Sequence, residues 1–332
     1  MSKRLELKLR VINAAEVREL LALDECVDAM GAAMRSASAG TVMVPPRLIM
    51  PLFDDSALLG LMPGSASEPK VYGAKVISLH PANPAQGRPA IQGFVTLFDH
   101  DTGTPVAIIE GGEITAIRTA AASGLATRCL SRPNSRSHGI FGTGVQAVTH
   151  IDAIASVRPI EEVLIWGRDS SKARAMAEEQ AKRTGLAIRA TKDPEQAAAC
   201  DIVSTVTGAN EPILHGRWVR AGCHVNLVGA HSPKAREADS DLIAKARIYT
   251  DLLESLFNEG GDVLIPIDEG RIERSYVKGE IGKVLSGEIE GRSGDDDVTL
   301  YKSLGITAQD LYAAHLVYAK ALAVGAGTEV PL

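Results

Sequence analysis

The stretch Ser137-His138-Gly139-Ile140-Phe141-Gly142-Thr143-Gly144-Val145-Gln146-Ala147 decides the fold of the second half of the chain. It predicts a buried strand, a Gly-x-Gly-x-x-Ala turn and the start of a helix, an arrangement typical of dinucleotide binding. Gly142 permits the tight turn, Gly144 lets the backbone approach a pyrophosphate, and Ala147 lets the helix pack close to the strand. The N-terminus of that helix offers N–H groups and a positive dipole end to phosphates.

Strands and helices alternate after this turn. The predicted strands are Ser137–Phe141, Glu162–Trp166, Ala187–Ala190, Asp201–Thr205, His224–Val228 and Ala246–Thr250. The predicted helices between them are Val145–Ser156, Ser170–Thr184 and Pro194–Ala199. The alternation indicates an α/β fold with a Rossmann doubly wound parallel sheet, whose ligands bind at the carboxyl ends of the strands.

The first part of the chain has a different pattern. Residues 13–40 are predicted to be helical, residues 42–110 contain short apolar runs typical of a mostly antiparallel sheet, and a helix covers 113–130. A polar joint follows at 133–137, and a last helix covers 308–324 after an acidic loop at 291–297 that we expect to be mobile. We therefore expect an α+β domain of residues 1–131 together with 306–332, and a dinucleotide-binding domain of residues 132–305.

The composition excludes several classes of protein. The formal net charge of −6 argues against a nucleic-acid partner, which would require a basic face. No apolar run is long enough to predict a membrane span, and the charged start of the chain does not resemble a signal peptide. The four cysteines are scattered, which favours buried thiols over a disulfide framework or a metal site. We expect a cytoplasmic protein.

The end of the second predicted strand indicates which dinucleotide is bound. An acidic residue there usually accepts from the ribose 2′-hydroxyl of NAD, but Trp166 is followed by Gly167 and Arg168. A neutral glycine does not repel a 2′-phosphate and an arginine fork matches one, so NADP(H) is favoured, with NAD(H) possible. In the alternative interpretation Arg168 is a solvated loop residue and Asp169 performs the NAD role.

Two further strand ends are predicted to face the nicotinamide. They are the segments Thr205-Val206-Thr207-Gly208 and Val228-Gly229-Ala230-His231. His231 is the one titratable side chain in these two segments and could shuttle a proton near neutral pH. It could equally be a partly exposed loop histidine, and His80 and His150 are interpreted as structural.

Three cations lie near apolar segments of the first domain. They are Arg47 after two prolines, Lys75 inside a predicted strand, and Arg118 early in an alanine-rich helix. Burying such charges is costly unless an anion meets them, so together they predict a carboxylate site. Alternatively, each reaches solvent or pairs with Glu110 or Glu113.

With these residues the chain resembles the ornithine cyclodeaminase/μ-crystallin family over nearly its whole length. The motifs that carry the resemblance are Val44-Pro45-Pro46-Arg47, Leu61-Met62-Pro63, Ala74-Lys75-Val76, Gly112-Glu113-Ile114-Thr115-Ala116-Ile117-Arg118-Thr119-Ala120-Ala121, Gly142-Thr143-Gly144-Val145-Gln146-Ala147, Thr205-Val206-Thr207, Asn226-Leu227-Val228-Gly229-Ala230 and Lys302-Ser303-Leu304-Gly305. The arginine-containing helix motif and the Lys-Ser-Leu-Gly motif are the most specific.

The resemblance implies a homodimer whose first domains join their sheets, with the C-terminal helix returning to that domain. It also implies a site. A carboxylate substrate would be held by Arg47, Lys75 and Arg118 with Leu304 beside it. The residue types themselves make Lys75 and His231 the catalytic candidates. The cofactor would lie on Arg118, Thr119, Gly142, Thr143, Gly144, Val145, Gln146, Gly167, Arg168, Thr207, Val228, Gly229, Ala230 and Ser303, with no metal.

Two departures place the chain in the reductase branch of that family. The cyclodeaminases carry an acidic residue where Gly167 stands and a catalytic aspartate where His231 stands. We therefore expect reduction of a cyclic imino acid by NADPH, of Δ1-pyrroline-2-carboxylate to L-proline or of Δ1-piperideine-2-carboxylate to L-pipecolate. The alternatives are ornithine cyclodeaminase, alanine dehydrogenase or an opine-forming enzyme, and, from another class, a μ-crystallin-like binding protein. The sequence does not decide the ring size of the substrate.

Overall fold

The computed structural model describes residues 7–332. Its strands, in chain order, are β1 (Lys8–Ile12), β2 (Val42–Met43), β3 (Leu48–Pro51), β4 (Leu58–Ala66), β5 (Val71–Leu79), β6 (Ile91–Asp99), β7 (Pro105–Glu110), β8 (Ser137–Phe141), β9 (Glu162–Trp166), β10 (Ala187–Ala190), β11 (Ile202–Thr205), β12 (His224–Leu227), β13 (Arg247–Thr250), β14 (Gly279–Glu280), β15 (Thr299–Lys302) and β16 (Thr328–Pro331). Its helices are α1 (Ala14–Leu20), α2 (Leu23–Ser38), α3 (Gly111–Leu130), α4 (Val145–Val157), α5 (Ser170–Thr184), α6 (Pro194–Ala198), α7 (Ser240–Lys245), α8 (Leu253–Glu259), α9 (Gly261–Asp268), α10 (Ile281–Leu285) and α11 (Thr307–Val324).

The described chain divides into two compact units. Unit 1 contains the residues up to Arg118 together with Ile306–Leu332, and unit 2 is Thr119–Gly305. The first division therefore falls inside α3, whereas the sequence places it after this helix, at residue 131. The reason is that the second half of α3 packs within unit 2, where Ser123 bonds to His150 and Thr127 bonds to Asn226.

Unit 1 is built on a sheet with the strand order β16-β1-β7-β6-β5-β4-β2, with β3 paired to β4. Its strands are antiparallel except for the pairing of β1 with β7. The side chains of β5 alternate between the two faces, so Val71, Gly73 and Lys75 all point into the buried face. Helix α11 packs across β4 and β5, and it covers the buried position of Lys75.

Unit 2 is built on a parallel sheet with the order β10-β9-β8-β11-β12-β15-β13-β14. Strand β11 lies between β8 and β12, and Thr205 is in register with both Phe141 and Leu227. The loops that follow these three strands therefore start at the same level, at the carboxyl edge of the sheet. The predicted fold class, a Rossmann sheet with an additional α+β part, is confirmed.

The structure corrects several details of the prediction. The helix predicted over 13–40 is two helices, because Asn13 caps α1 and the extended residue Ala22 precedes α2. The sequence analysis does not predict strands β1, β14, β15 and β16. Within the acidic loop 291–297, Asp297 accepts from the backbone N–H groups of Ser293 and Gly294, and the expected mobility of the loop stays a prediction.

Candidate active site

The glycine turn of unit 2 follows the buried strand β8. Gly142 has φ +132°, and a Cβ there would lie 2.9 Å from the carbonyl oxygen of Val206, so only glycine fits without strain. Gly144 occupies the N-cap position of α4, and no side chain caps this helix. A Cβ on Gly144 would have no neighbour within 4 Å, and the side chain of Val145 is 67% exposed. The turn is therefore an open cradle beside an uncapped helix N-terminus, which suits a pyrophosphate.

The end of β9 has the features on which the cofactor prediction depends. A Cβ on Gly167 would come within 2.8 Å of Thr143 Cγ2, so any side chain at this position would require the side chain of Thr143 to shift. Arg168 is exposed. Asp169 is the N-cap of α5, where Oδ1 accepts from the N–H groups of Ser171 and Lys172. Asp169 therefore already has a structural role as a helix cap, which does not require it to bind the ribose of NAD.

The loops after β11 and β12 contact each other. Thr207 and Gly229 are both bound by Glu237, a fully buried carboxylate that the sequence analysis did not single out. His231 lies further along the second loop and is exposed, with its Nδ1 3.1 Å from the carbonyl oxygen of Gly229. Val228 is partly buried and Ala230 is buried at the same loop.

The Lys-Ser-Leu-Gly motif leaves β15 on the same edge of the sheet. The N–H of Ser303 donates to the carbonyl of Leu227, and the N–H groups of Leu304 and Gly305 donate to the buried carboxylate of Asp251 at 2.8 and 2.6 Å. Asp251 is a second residue that the sequence analysis missed, because it follows β13 with no motif around it.

In unit 1, two of the three predicted cations meet on one carboxylate. Lys75 Nζ lies 3.0 and 2.9 Å from the two oxygens of Asp310, and Arg118 Nε lies 2.9 Å from Oδ1. Arg118 also donates through Nη1 to the side-chain oxygen of Gln309 at 2.6 Å. All four side chains are buried. Asp310 on α11 was not predicted.

The alternative partners of these cations are engaged elsewhere. Glu110 accepts from the N–H groups of Gly112 and Glu113 and so caps the start of α3. Glu113 pairs with Arg18 at 2.9 Å. Neither glutamate is the counter-ion of Lys75 or Arg118, so that alternative interpretation is wrong for these two residues.

The charges around Asp310 do not balance. Burial and the charge of Arg118 lower the pKa of Lys75 to about 8, Arg47 contributes in the same direction, and Asp310 opposes them. Burial acts to raise the pKa of Asp310, but Arg118 and Lys75 lower it below its usual value. Two buried cations, Lys75 and Arg118, therefore share the single carboxylate of Asp310. The excess positive charge favours a bound anion.

Three other histidines of unit 2 are structural. His138, His150 and His224 are fully buried, and burial lowers their pKa values to about 3, 4 and 3. Each bonds to a buried hydroxyl group. In residues 7–332 there is no group of three or more His, Cys, Asp or Glu side chains arranged to hold a metal ion. No helix within the same range is long and apolar enough to cross a membrane.

The parallel sheet of unit 2 and its glycine turn define an α/β protein of the nicotinamide-dinucleotide-binding class. The sequence model of the ornithine cyclodeaminase/mu-crystallin family matches residues 8–325. The chain belongs to this family, as the resemblance of its motifs indicated.

Three similar proteins are informative. A Δ1-pyrroline-2-carboxylate reductase of Bacillus cereus is 35% identical over 96% of this chain and 99% of that protein. The solved structure of Thermococcus litoralis Δ1-pyrroline-2-carboxylate reductase, in complex with NADH and L-proline, superposes with a TM-score of 0.94 at 35% identity over 97% of this chain and 100% of that one. The solved structure of an archaeal alanine dehydrogenase dimer with bound NAD superposes with a TM-score of 0.91 at 29% identity, over 98% of this chain and 99% of that one.

Proposed function

We propose that this protein reduces the C=N bond of a cyclic imino acid with a reduced nicotinamide dinucleotide. The substrate is Δ1-pyrroline-2-carboxylate, giving L-proline, and we include Δ1-piperideine-2-carboxylate, giving L-pipecolate. The observation that carries the proposal is the buried pair of Lys75 and Arg118 on Asp310, with its excess positive charge. The similar reductase with bound NADH and L-proline supports it, because L-proline carries the carboxylate that such a pair would bind.

The residues of the chain divide the chemistry between them. Lys75 has a pKa of about 8 and is therefore largely protonated at neutral pH, so it and Arg118 present two positive groups to the substrate carboxylate. Asp310 holds both head groups in place before the substrate arrives, which lowers the entropic cost of binding. A bound dinucleotide supplies the hydride. A protonated imine is already electrophilic, so orientation by this pair contributes much of the rate enhancement. In this proposal His231 relays the proton of the imine nitrogen.

We propose NADPH as the preferred cofactor, with NADH also accepted. Support comes from Gly167, which places no carboxylate at the end of β9 to repel a 2′-phosphate, and from the exposed Arg168 beside it. The engagement of Asp169 as a helix cap also supports this choice.

We propose a homodimer formed through the face that carries β3. Leu48, Ile49 and Met50 are each about half exposed in this strand, and Phe53 just after it is fully exposed. Exposed apolar groups that lie together mark a protein interface. The similar alanine dehydrogenase is a dimer, which supports a dimeric state for this chain. Light scattering should give a dimer for the wild type and a monomer for Ile49→Asp, and a monomeric wild type would contradict the proposal.

The thiols support a cytoplasmic location. Cys26, Cys200 and Cys223 are buried and form no disulfide. Burial raises the pKa of Cys26 and Cys200 to about 12, so these groups remain unreactive thiols.

One panel of assays tests the proposed reaction. Oxidation of NADPH and of NADH is measured with Δ1-pyrroline-2-carboxylate, with Δ1-piperideine-2-carboxylate and with pyruvate plus ammonia, and proline formation is measured from ornithine with NAD. We expect turnover with the cyclic imino acids. Turnover confined to pyruvate and ammonia would establish alanine dehydrogenase instead, the alternative that the structural similarity to that enzyme favours. Dinucleotide binding without any turnover would indicate a binding protein.

A further inference from the structure

The buried carboxylate of Glu237 joins the two loops that leave β11 and β12. Its Oε1 accepts from the N–H and the hydroxyl of Thr207, both at 2.8 Å. Its Oε2 accepts from the hydroxyl of Thr205 at 2.8 Å and from the N–H of Gly229 at 2.7 Å. A backbone N–H can only donate, so each carboxylate oxygen must act as an acceptor.

The loops also touch directly at Gly229. A Cβ there would lie 2.0 Å from the carbonyl oxygen of Thr207 and 2.6 Å from Glu237 Oε1. Only glycine allows this approach, and the approach is what brings the Gly229 N–H within reach of the carboxylate. The two loops therefore pack against each other and against Glu237 at the carboxyl edge of the sheet.

Glu237 is itself held by a second buried carboxylate. Asp262 Oδ1 accepts from the backbone N–H groups of Glu237 and Ala238 at 2.7 and 3.1 Å. Its other oxygen lies 2.8 Å from Lys302 Nζ, and Lys302 donates to the carbonyl of Ala230. The loop after β12 is thus fixed at Gly229 and at Ala230, through two carboxylates and one lysine.

We propose that Glu237 is a positioning residue for the nicotinamide-binding loops. By accepting the hydroxyl proton of Thr207, it leaves the hydroxyl oxygen as an acceptor for the cofactor. The hydroxyl of Thr207 has one proton, and it is donated to Glu237, so the oxygen can only accept from other groups. One of its lone pairs receives the N–H of Ala209 at 3.2 Å. The other suits an amide NH₂ group, which is the donor that a nicotinamide carboxamide carries. The inference rests on the proposed function, since a nicotinamide dinucleotide is the ligand which that function requires.

Glu237→Gln tests the inference. The amide replaces one acceptor oxygen with an NH₂ donor, and on either side this donor meets a backbone N–H, of Thr207 or of Gly229. We expect the dissociation constant of NADH, measured by nicotinamide fluorescence without any imino acid, to rise about tenfold, in line with one mispaired buried hydrogen bond. In turnover, the KM for NADH should rise by a similar factor while the KM for the imino acid changes less than twofold.

Asp201→Asn is the matched control. Asp201 is also a carboxylate of unit 2 that accepts from two backbone N–H groups, those of Arg136 and Ser137, but at the amino ends of β8 and β11. Its loss should lower the melting temperature and leave NADH affinity unchanged. If Glu237→Gln lowers the melting temperature as Asp201→Asn does and also leaves NADH affinity unchanged, Glu237 is only structural and the inference is overturned.

Thr207→Val and Thr207→Ser keep the inference testable if Glu237→Gln does not fold. Valine removes the acceptor oxygen and should weaken NADH binding about fivefold, whereas serine retains it and should bind NADH within twofold of wild type. Equal NADH affinity in the valine variant and the wild type would overturn the inference. A wild type that binds NADH but reduces no imino acid would defeat the proposed function alone, because these affinities are measured without an imino acid.

Discussion

Asp310 in unit 1 and Glu237 in unit 2 are both fully buried carboxylates, yet their surroundings differ. Asp310 faces the charged groups of Lys75 and Arg118, and their attraction outweighs burial and lowers its pKa. Glu237 faces neutral N–H and O–H donors and a second carboxylate, and burial raises its pKa. In unit 1 two cations share one carboxylate, and in our proposal they also bind the substrate anion, whereas Glu237 of unit 2 binds the backbone. The buried carboxylate of unit 1 thus holds charged side chains, whereas that of unit 2 fixes the course of two loops.

The largest effect should come from removing a charge in unit 1. We expect Arg118→Ala to lower kcat/KM for the cyclic imino acid about a hundredfold to a thousandfold, because truncating one partner of a buried, hydrogen-bonded charge pair costs about 2–5 kcal/mol. Steady-state kinetics with a fixed saturating dinucleotide measures this. Arg18→Ala is the control, since Arg18 forms an exposed ion pair with Glu113 and should change kcat/KM less than twofold. Unchanged kinetics in Arg118→Ala would rule out the carboxylate clamp.

In unit 2, substitutions at two neighbouring glycines of the glycine turn should have different effects, one on cofactor binding and one on stability. Gly144→Val should weaken NADH binding roughly thirtyfold, a loss of about 2 kcal/mol at 1.4 kcal/mol per factor of ten, with little change in melting temperature. The reason is that its Cβ points into open space. Gly142→Ala should instead lower the free energy of unfolding by about 1–3 kcal/mol, because of the strained backbone. Calorimetry and NADH titration on both variants test the pair, and normal NADH affinity in Gly144→Val would place the pyrophosphate elsewhere.

The charge side of the comparison predicts a pH dependence. Lys75 is protonated below its pKa of about 8 and loses its charge above it, so anion affinity should fall as pH rises through that value. The inhibition constant of pyrrole-2-carboxylate measures this, because this planar carboxylate has no group that titrates in the range. Asp310→Asn removes the attraction that keeps Lys75 protonated and should move the change to lower pH by about one unit. If the inhibition constant changed at the same pH in the wild type and in Asp310→Asn, a group other than Lys75 would be titrating.

A smaller effect is expected where the cofactor site itself uses charge. Arg168→Ala should raise the KM for NADPH about tenfold, the worth of one charge-assisted contact to a phosphate, and leave the KM for NADH unchanged. Arg174→Ala on the exposed side of α5 is the matched control and should leave both values unchanged. Equal changes for the two cofactors in Arg168→Ala would contradict an NADP preference.

The smallest effect should follow from His231→Asn. An exposed histidine that relays a proton can be replaced in part by water, so we expect a decrease of about threefold to tenfold in kcat, toward the low end of acid–base contributions. The decrease should be accompanied by a flatter dependence of kcat on pH. Full activity at every pH would remove His231 from the mechanism.

The sequence predicts the parallel sheet and the glycine turn because their signals are local. A strand, a turn and a helix follow one another within the segment 137–157, and the structure has them in the predicted order. The same local reasoning places Lys75 inside a strand and Arg118 in a helix, which is where they are found. It fails at the single helix over 13–40, since nothing in the apolar spacing marks the break at Ala22.

The counter-ions could not be predicted because they come from distant parts of the chain. Asp310 lies 192 residues after Arg118, in a helix whose other residues look like ordinary core. Glu237 belongs to the segment Arg236-Glu237-Ala238-Asp239, which has the composition of a solvated helix start. Each carboxylate acquires its role through tertiary packing alone, and a spacing rule cannot detect that.

The position of Asp310 on α11 also bears on the order in which the chain can fold during synthesis. Lys75 and Arg118 are made early, but their shared counter-ion emerges only after the whole of Thr119–Gly305 has been translated. Two buried cations without a counter-ion are strongly destabilising, so we expect unit 1 not to finish folding before Asp310 is available. Unit 2 is a continuous segment and can fold earlier, on the ribosome. The buried cluster of Lys75, Arg118 and Asp310 is therefore completed last, after α11 has been made.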